Sequence, residues 1–248
     1  TRFGSPNAPS ALRRGSSESM FFTIFMKNIS ISLALLLALA ALPGAAVEAA
    51  SPLEGKIIAL DAGHGAGEVG AVGYCGDVPV PESEVNLAVR TLLKAKIDAD
   101  LGLGYEVAQR SSRSDRVADA ENAGADVLIS IHHNGSTNTS ADYTKSFVTQ
   151  KNDKEFAKYI HPEIVLALRL PDQGIKSDGY GMTVYGSLPG ILTESYFITN
   201  TTAACDYLNY LSGNPDTRVE REAEAMYRGL LAYFSRPTGG GGGGRPNR

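Results

Sequence analysis

The chain has no tryptophan, only two cysteines and only four histidines among its 248 residues. Two cysteines with no Cys-x-x-Cys spacing argue against a thiolate zinc site. A surplus of positive charge is also missing. The formal net charge is −4, and without the two polar ends 17 basic side chains face 25 acidic ones, close to −8. Such a domain does not hold nucleic acid or an anionic surface by bulk charge. Long apolar runs are scarce too. The one that stands out, Ile29–Leu42, has 14 residues and is too short to span a bilayer comfortably. There is no internal repeat and no sign of a second domain.

That apolar run has a recognisable setting. Lys27 precedes it, Pro43 and Gly44 break it, and Val47-Glu48-Ala49 offers small residues where a signal peptidase reads. Residues 26–49 read as a secretory signal peptide starting at Met26 or Met20, with an uncleaved anchor as the alternative; either way the protein leaves the cytoplasm. Residues 1–25 read as a disordered or non-native leader. Residues 237–248, with the unbroken glycines Gly239–Gly244, read as a disordered tail. What remains, 54–236, is long enough for one sizeable core. In an exported protein Cys75 and Cys205 can pair across a long loop. The sequence does not say whether their Cα atoms approach closely enough.

Inside the domain, strand and helix patterns alternate. Strands are expected at Ile57–Leu60, Tyr105–Gln109, Val127–His132, Lys145–Val148, Met182–Tyr185 and Gly190–Thr193. Helices are expected at Ser83–Asp98, Asp115–Ala123, Asp153–Leu168, Thr202–Leu211 and Thr217–Phe234, with Pro162 able to kink or split the third. The order predicts a single α/β domain: a mainly parallel (mixed) twisted sheet of about six strands with helices on both faces. Such sheets carry their chemistry at the C-terminal ends of strands.

Three of these strand ends finish in chemically useful residues. Ile57–Leu60 runs into Asp61-Ala62-Gly63-His64-Gly65, where glycines let the chain turn and a ligand approach. Alone, that histidine also fits a hydrogen-bonded structural residue. The second strand ends at His132-His133-Asn134, and the third at Glu194. A hydrolytic zinc site takes three protein ligands and leaves a position open. It also needs a base outside the ligands, which asks for one more carboxylate besides Glu194; Glu82 and Glu84, which open the helix after the His64 loop, could either of them reach back.

The segments DAGHG, PESEVNLA, ISIHHN and PGILTESYFITN, in that order, resemble the zinc-dependent N-acetylmuramoyl-L-alanine amidases of the amidase-3 family, from about Lys56 to Phe234. The resemblance implies one Zn2+ held by His64, Glu82 and His132, with Glu84 the runner-up for the second ligand. It implies Glu194 as the catalytic base, taking a proton from water and passing it to the leaving amine. The expected reaction is hydrolysis of the amide between N-acetylmuramic acid and L-alanine in peptidoglycan, by a monomer in the periplasm or cell wall. An exported zinc peptidase acting on wall peptides, or a wall-binding protein with little turnover, are the rival readings.

Asn86 and Asn134 are candidates for orienting ligands or touching substrate, and Arg110 matches a family arginine whose role is left open. Asp61 is expected to be a structural or hydrogen-bonding partner of the site. His133 departs from the small residue usual in the family and is expected to face solvent or a loop, because neighbouring strand residues point to opposite faces. The sharper reading is a substrate contact or alternate ligand. His161 is expected at the surface. The stretch between His132 and Glu194 shows no spare segment for an occluding helix, so an open site is expected.

Overall fold

The computed structural model describes residues 50–237 apart from 111, 178 and 180. The expected leader and signal peptide, and all but the first residue of the glycine-rich tail, lie outside the described residues. The first strand, β1 (Ile57–Ala62), alternates its side chains strictly. Ile58 and Leu60 enter the larger core, and Ala59 enters the smaller one on the opposite face. A hairpin follows, β2 (Val72–Cys75) and β3 (Val78–Pro81), and leads straight into helix α1 (Glu82–Ala99). Then come β4 (Leu103–Glu106), α2 (Arg113–Asn122), β5 (Val127–Asn134), β6 (Thr144–Phe147), α3 (Lys151–Leu168) and β7 (Asp172–Lys176). A single 3-10 turn, Gly181–Val184, precedes β8 (Gly190–Phe197), α4 (Thr201–Leu211) and α5 (Arg218–Ser235).

Six strands form one sheet in the order β4-β1-β5-β8-β6-β7. Every neighbouring pair is parallel except β6–β8. The expected α/β class and strand number stand. On one face α5 packs across α1 and α3, closing the larger core around Ile129, Ile131, Phe156, Met226 and Leu230. On the other, α2 covers a smaller core with Val117 and Ala120 against Ala59 and Leu128. Helix α5 begins with a reciprocal capping box between Thr217 and Glu220, which satisfies two otherwise unpaired backbone donors.

Several expectations need correction. Met182–Tyr185 is not a strand, since its first residues belong to the 3-10 turn. The β2–β3 hairpin and β7 were not anticipated; Pro79 and Pro81 disguise the hairpin, and β7 is short and polar. β8 runs on to Phe197, so Glu194 lies within the strand and not beyond its end. Pro162 does not split α3. Burial of Phe156, Ile160, Ile164 and Leu168 outweighs the lost backbone bond, worth about 3 kcal/mol. His161 is buried, not at the surface. Its ring lies 2.9 Å from Ser146 Oγ on β6 and 2.9 Å from Asp172 Oδ1 on the edge strand β7, tying both strands to α3.

Cys75 on β2 and Cys205 on α4 form a disulfide with Cα atoms 4.8 Å apart, answering the question the sequence left open. The bond anchors the hairpin that delivers Glu82 to the site. No helix among the described residues is long and apolar enough to cross a membrane.

Candidate metal centre

The site is built from the C-terminal ends of β1 and β5, the middle of β8 and the N-terminus of α1. His64 follows β1 in a left-handed backbone conformation, φ +62°. Such a conformation is costly for a residue with a side chain, so something must hold it. Arg116 on α2 does so: its Nη2 donates to the His64 carbonyl at 2.7 Å, and its Nη1 to the Ala62 carbonyl at 3.1 Å. The same Nη1 donates to Asp61 Oδ1 at 2.8 Å, while Ser130 Oγ donates to Asp61 Oδ2 at 2.7 Å. Asp61 is therefore a buried structural partner, as expected.

Glu82 is set by the way α1 begins. Its backbone N–H donates to the Ala71 carbonyl at 2.8 Å, and its Oε2 accepts the Ala71 N–H at 3.0 Å. Oε1 accepts the His133 N–H at 3.1 Å and a longer contact from Asn86 Nδ2 at 3.4 Å. Against this fixed carboxylate stand two imidazoles. His64 Nε2 lies 3.1 Å from Oε2, and His132 Nδ1 lies 3.1 Å from Oε1. Glu84 is exposed and outside the cluster.

The room for this cluster comes from two glycines. A Cβ on Gly63 would sit 2.3 Å from the His132 ring. One on Gly70 would sit 2.6 Å from Glu82 Oε2 and 2.7 Å from His64 Cδ2. Nδ1 of His64 faces Glu68 Oε1 at 3.3 Å, a carboxylate that can fix the ring's orientation.

His132 and Glu194 are register partners on the neighbouring parallel strands β5 and β8. Glu194 is 8% exposed, and its Oε2 has no hydrogen-bond partner. Burial pushes its carboxyl above the ordinary range. Burial pushes Glu82 the same way, but hydrogen bonds from His132 and His64 outweigh it and hold that carboxyl well below the ordinary range. The hydrogen bond to Glu82 raises His64 against the opposing effect of burial. The two carboxylates, Glu82 at the start of α1 and Glu194 on β8, are thus driven in opposite directions, which favours the anionic form of the first and proton exchange at the second.

Ligand atoms of His64, Glu82 and His132 all lie within 4.8 Å of one another. Two imidazole nitrogens and a carboxylate oxygen suit zinc, and the uncommitted Oε2 of Glu194 gives a polar function to the same pocket. The residues therefore fit a zinc ion by donor type, spacing and surroundings.

The family model described as Amidase_3, N-acetylmuramoyl-L-alanine amidase, matches residues 58–212. The chain belongs to the amidase-3 family. It is 33% identical over 195 residues to the uncharacterized protein YqiI of Bacillus subtilis, covering 75% of this chain and 89% of YqiI. It is 30% identical over 193 residues to N-acetylmuramoyl-L-alanine amidase LytC of the same organism, covering 74% of this chain but 36% of LytC. Among solved structures it resembles the catalytic domain of the amidase CwlV from Bacillus (Paenibacillus) polymyxa var. colistinus. There the TM-score is 0.63 at 25% identity, covering 72% of this chain and 97% of that one.

Among the remaining expectations for this amidase-3 chain, Asn86 holds the cluster from behind, donating to the Gly63 carbonyl at 3.0 Å. Asn134 lines the pocket with its Nδ2 unpartnered. Arg110 is exposed; its carbonyl accepts from Arg116 Nε at 2.6 Å. His133 is not solvent-facing. It is 1% exposed, with Nδ1 at 2.6 Å from Asn86 Oδ1 and Nε2 at 2.9 Å from Glu222 Oε2. The alternation argument was right that it faces away from His132, but that face is core. Sequence reasoning missed Arg116, Glu68 and Glu222. Glu68 alone carried a local signal, four residues after His64.

Proposed function

We propose that this chain is a zinc-dependent N-acetylmuramoyl-L-alanine amidase that cleaves the bond between N-acetylmuramic acid and L-alanine in peptidoglycan. The observation that carries the reading is the convergence of His64, Glu82 and His132 beside the unpaired carboxylate of Glu194. The three converging residues would hold one zinc ion. Bound there, zinc would supply Lewis-acid polarisation of the scissile carbonyl and lower the pKa of water to about 7.

Glu194 accepts the proton of the attacking water and delivers it to the departing amine of L-alanine. Its burial suits both steps: a carboxyl raised above its ordinary range takes a proton more readily and keeps it until the C–N bond breaks. Glu82 stays anionic throughout, held by the Ala71 and His133 N–H groups. Asn134 Nδ2 offers a free donor to a substrate oxygen in the pocket. The mature protein acts as a monomer outside the cytoplasm, directed there by residues 26–49.

α3, the one helix between His132 and Glu194 among the described residues, packs against β8 and α5. The site accordingly works without an activator. Dye release from labelled peptidoglycan tests the whole reading. Zinc-loaded protein releases dye, and chelated protein and Glu194→Gln do not. Absence of release from the zinc-loaded parent defeats it.

A further inference from the structure

The face of the sheet opposite the pocket carries a buried polar chain that the reaction itself does not use. Glu222 projects from α5 and is fully buried. Its Oε2 lies 2.9 Å from His133 Nε2, and its Oε1 accepts Ser195 Oγ at 2.5 Å. His133 Nδ1 continues to Asn86 Oδ1 at 2.6 Å. The amide orientation of Asn86 is fixed by its other contacts: Nδ2 faces the Gly63 carbonyl and Glu82 Oε1, both acceptors, so Oδ1 must face His133. His133 Nδ1 therefore donates to the Asn86 amide oxygen, and its Nε2 stands against the Glu222 carboxyl.

We infer that Glu222 is a positioning residue for both halves of the site, fixing the metal-ligating Glu82 through His133 and Asn86 and the base Glu194 through Ser195. The inference rests on the roles proposed above for Glu82 and Glu194. Its geometry is specific. Each residue that the chain of bonds reaches is next to, or bonded to, a functional one: Gly63 precedes His64, His133 follows His132, Ser195 follows Glu194, and Asn86 touches Glu82 itself. One carboxylate on the last helix thus braces the tips of β1 and β5, the middle of β8 and the first turn of α1. A group that served only stability would be better replaced by apolar packing, because polar groups buried this deeply are expensive to desolvate. Glu222 also lies beyond residues 58–212, the span matched by the family model, so the bracing is contributed by a part of the chain outside that match.

The test compares Glu222→Gln, His133→Ala and their double variant with the parent. Zinc affinity is read by competition with a chromogenic chelator, and kcat and KM on soluble muropeptides. Leu230→Ala, on the same helix but within the apolar core, is the control for destabilisation alone. Glu222→Gln and His133→Ala each weaken zinc binding about 10- to 100-fold, the usual effect of removing a partner that orients a ligand. The double variant is no worse than the weaker single, because both act through one path. In Glu222→Gln excess zinc restores occupancy but not full kcat, since Glu194 is also released through Ser195, while KM is unchanged.

Leu230→Ala keeps the parent's zinc affinity. Parental affinity and kcat in Glu222→Gln, or losses in Leu230→Ala equal to those in Glu222→Gln, overturn the inference. Should Glu222→Gln fail to fold, His133→Ala against Leu230→Ala decides by the same criteria. A parent that binds no zinc defeats the functional reading, and this inference with it; a zinc-binding parent indistinguishable from both variants defeats the inference alone.

Discussion

His132 on β5 and Glu194 on β8 stand directly opposite each other in a parallel register. Partners in such a register project from the same face of the sheet, about 5 Å apart along the hydrogen-bonding direction. The sheet itself therefore sets the distance between a candidate metal ligand and the candidate base. No flexible loop intervenes, so the pair is held by a rigid element.

Glu194→Gln separates the cost of the base from its use. Turnover falls by about 10^2- to 10^4-fold, the usual contribution of a positioned general base. The metal-free variant is more stable than the metal-free parent at pH 7. The sign follows from the raised carboxyl. Its folded-state pKa lies above the unfolded value of about 4.3, so the parent loses stability as pH rises through the folded value. Below about pH 4 both states are protonated and the difference vanishes. Urea unfolding of both proteins at pH 4 and pH 7 checks this.

For the metal-free cluster, two opposite shifts define a window. His64 is raised by Glu82, so its contribution is complete below about pH 6.5 and is lost as pH climbs through the raised value. Glu82 is depressed, so its contribution is present above about pH 4.3 and is lost on acidification through the lowered value. The cluster supports the apo fold best between those limits. Zinc affinity moves the other way over the upper part, because protons compete for imidazole. Thermal melts with and without zinc from pH 5 to 8 should show the gap between the two forms widening with pH.

Arg116→Ala leaves the buried Asp61 without its cation and the His64 carbonyl without its donor. The expected destabilisation is roughly 3–5 kcal/mol, the cost of breaking a buried pair by removing one partner. Denaturant unfolding measures it. A loss under 1 kcal/mol would mean that the His64 turn is held by something else.

Replacing both Cys75 and Cys205 by alanine removes a cross-link that spans 130 residues of sequence. Stability drops by about 5 kcal/mol on the loop-entropy account. Zinc affinity falls as well, because the hairpin carrying Ala71 toward Glu82 is no longer tied to α4. Calorimetry and chelator competition on reduced and oxidised parent give the same comparison without mutation.

Much of this was readable in the chain. The β1 and β5 apolar runs, the helical spacing of α1 and α5, and the glycine-flanked His64 placed the frame and three strand tips. Local pattern failed where distant partners decide. GMTVY has the β-branched and aromatic character of a strand, yet Gly181 takes a left-handed turn and the segment coils. His133 and His161 looked exposed because their partners, Glu222 and Asp172, are not sequence neighbours. Glu222 itself sits in the run REAEAMYR, which reads like a solvated helix face. Its burial follows from where α5 crosses α1 and α3, a fact of tertiary packing. The candidate base, Glu194, was expected just past its strand but lies within it, since TESYF is too polar at one end to read as a fully buried strand.

The most direct measurement of the central claim is the identity of the product. Purified peptidoglycan is digested with the zinc-loaded protein, and the fragments are sequenced by mass spectrometry. The account requires stem peptides with a free amino group on L-alanine and muramic acid with a free lactyl carboxylate, both absent with Glu194→Gln. New termini between two amino acids of the stem, or no new termini at all, would contradict it.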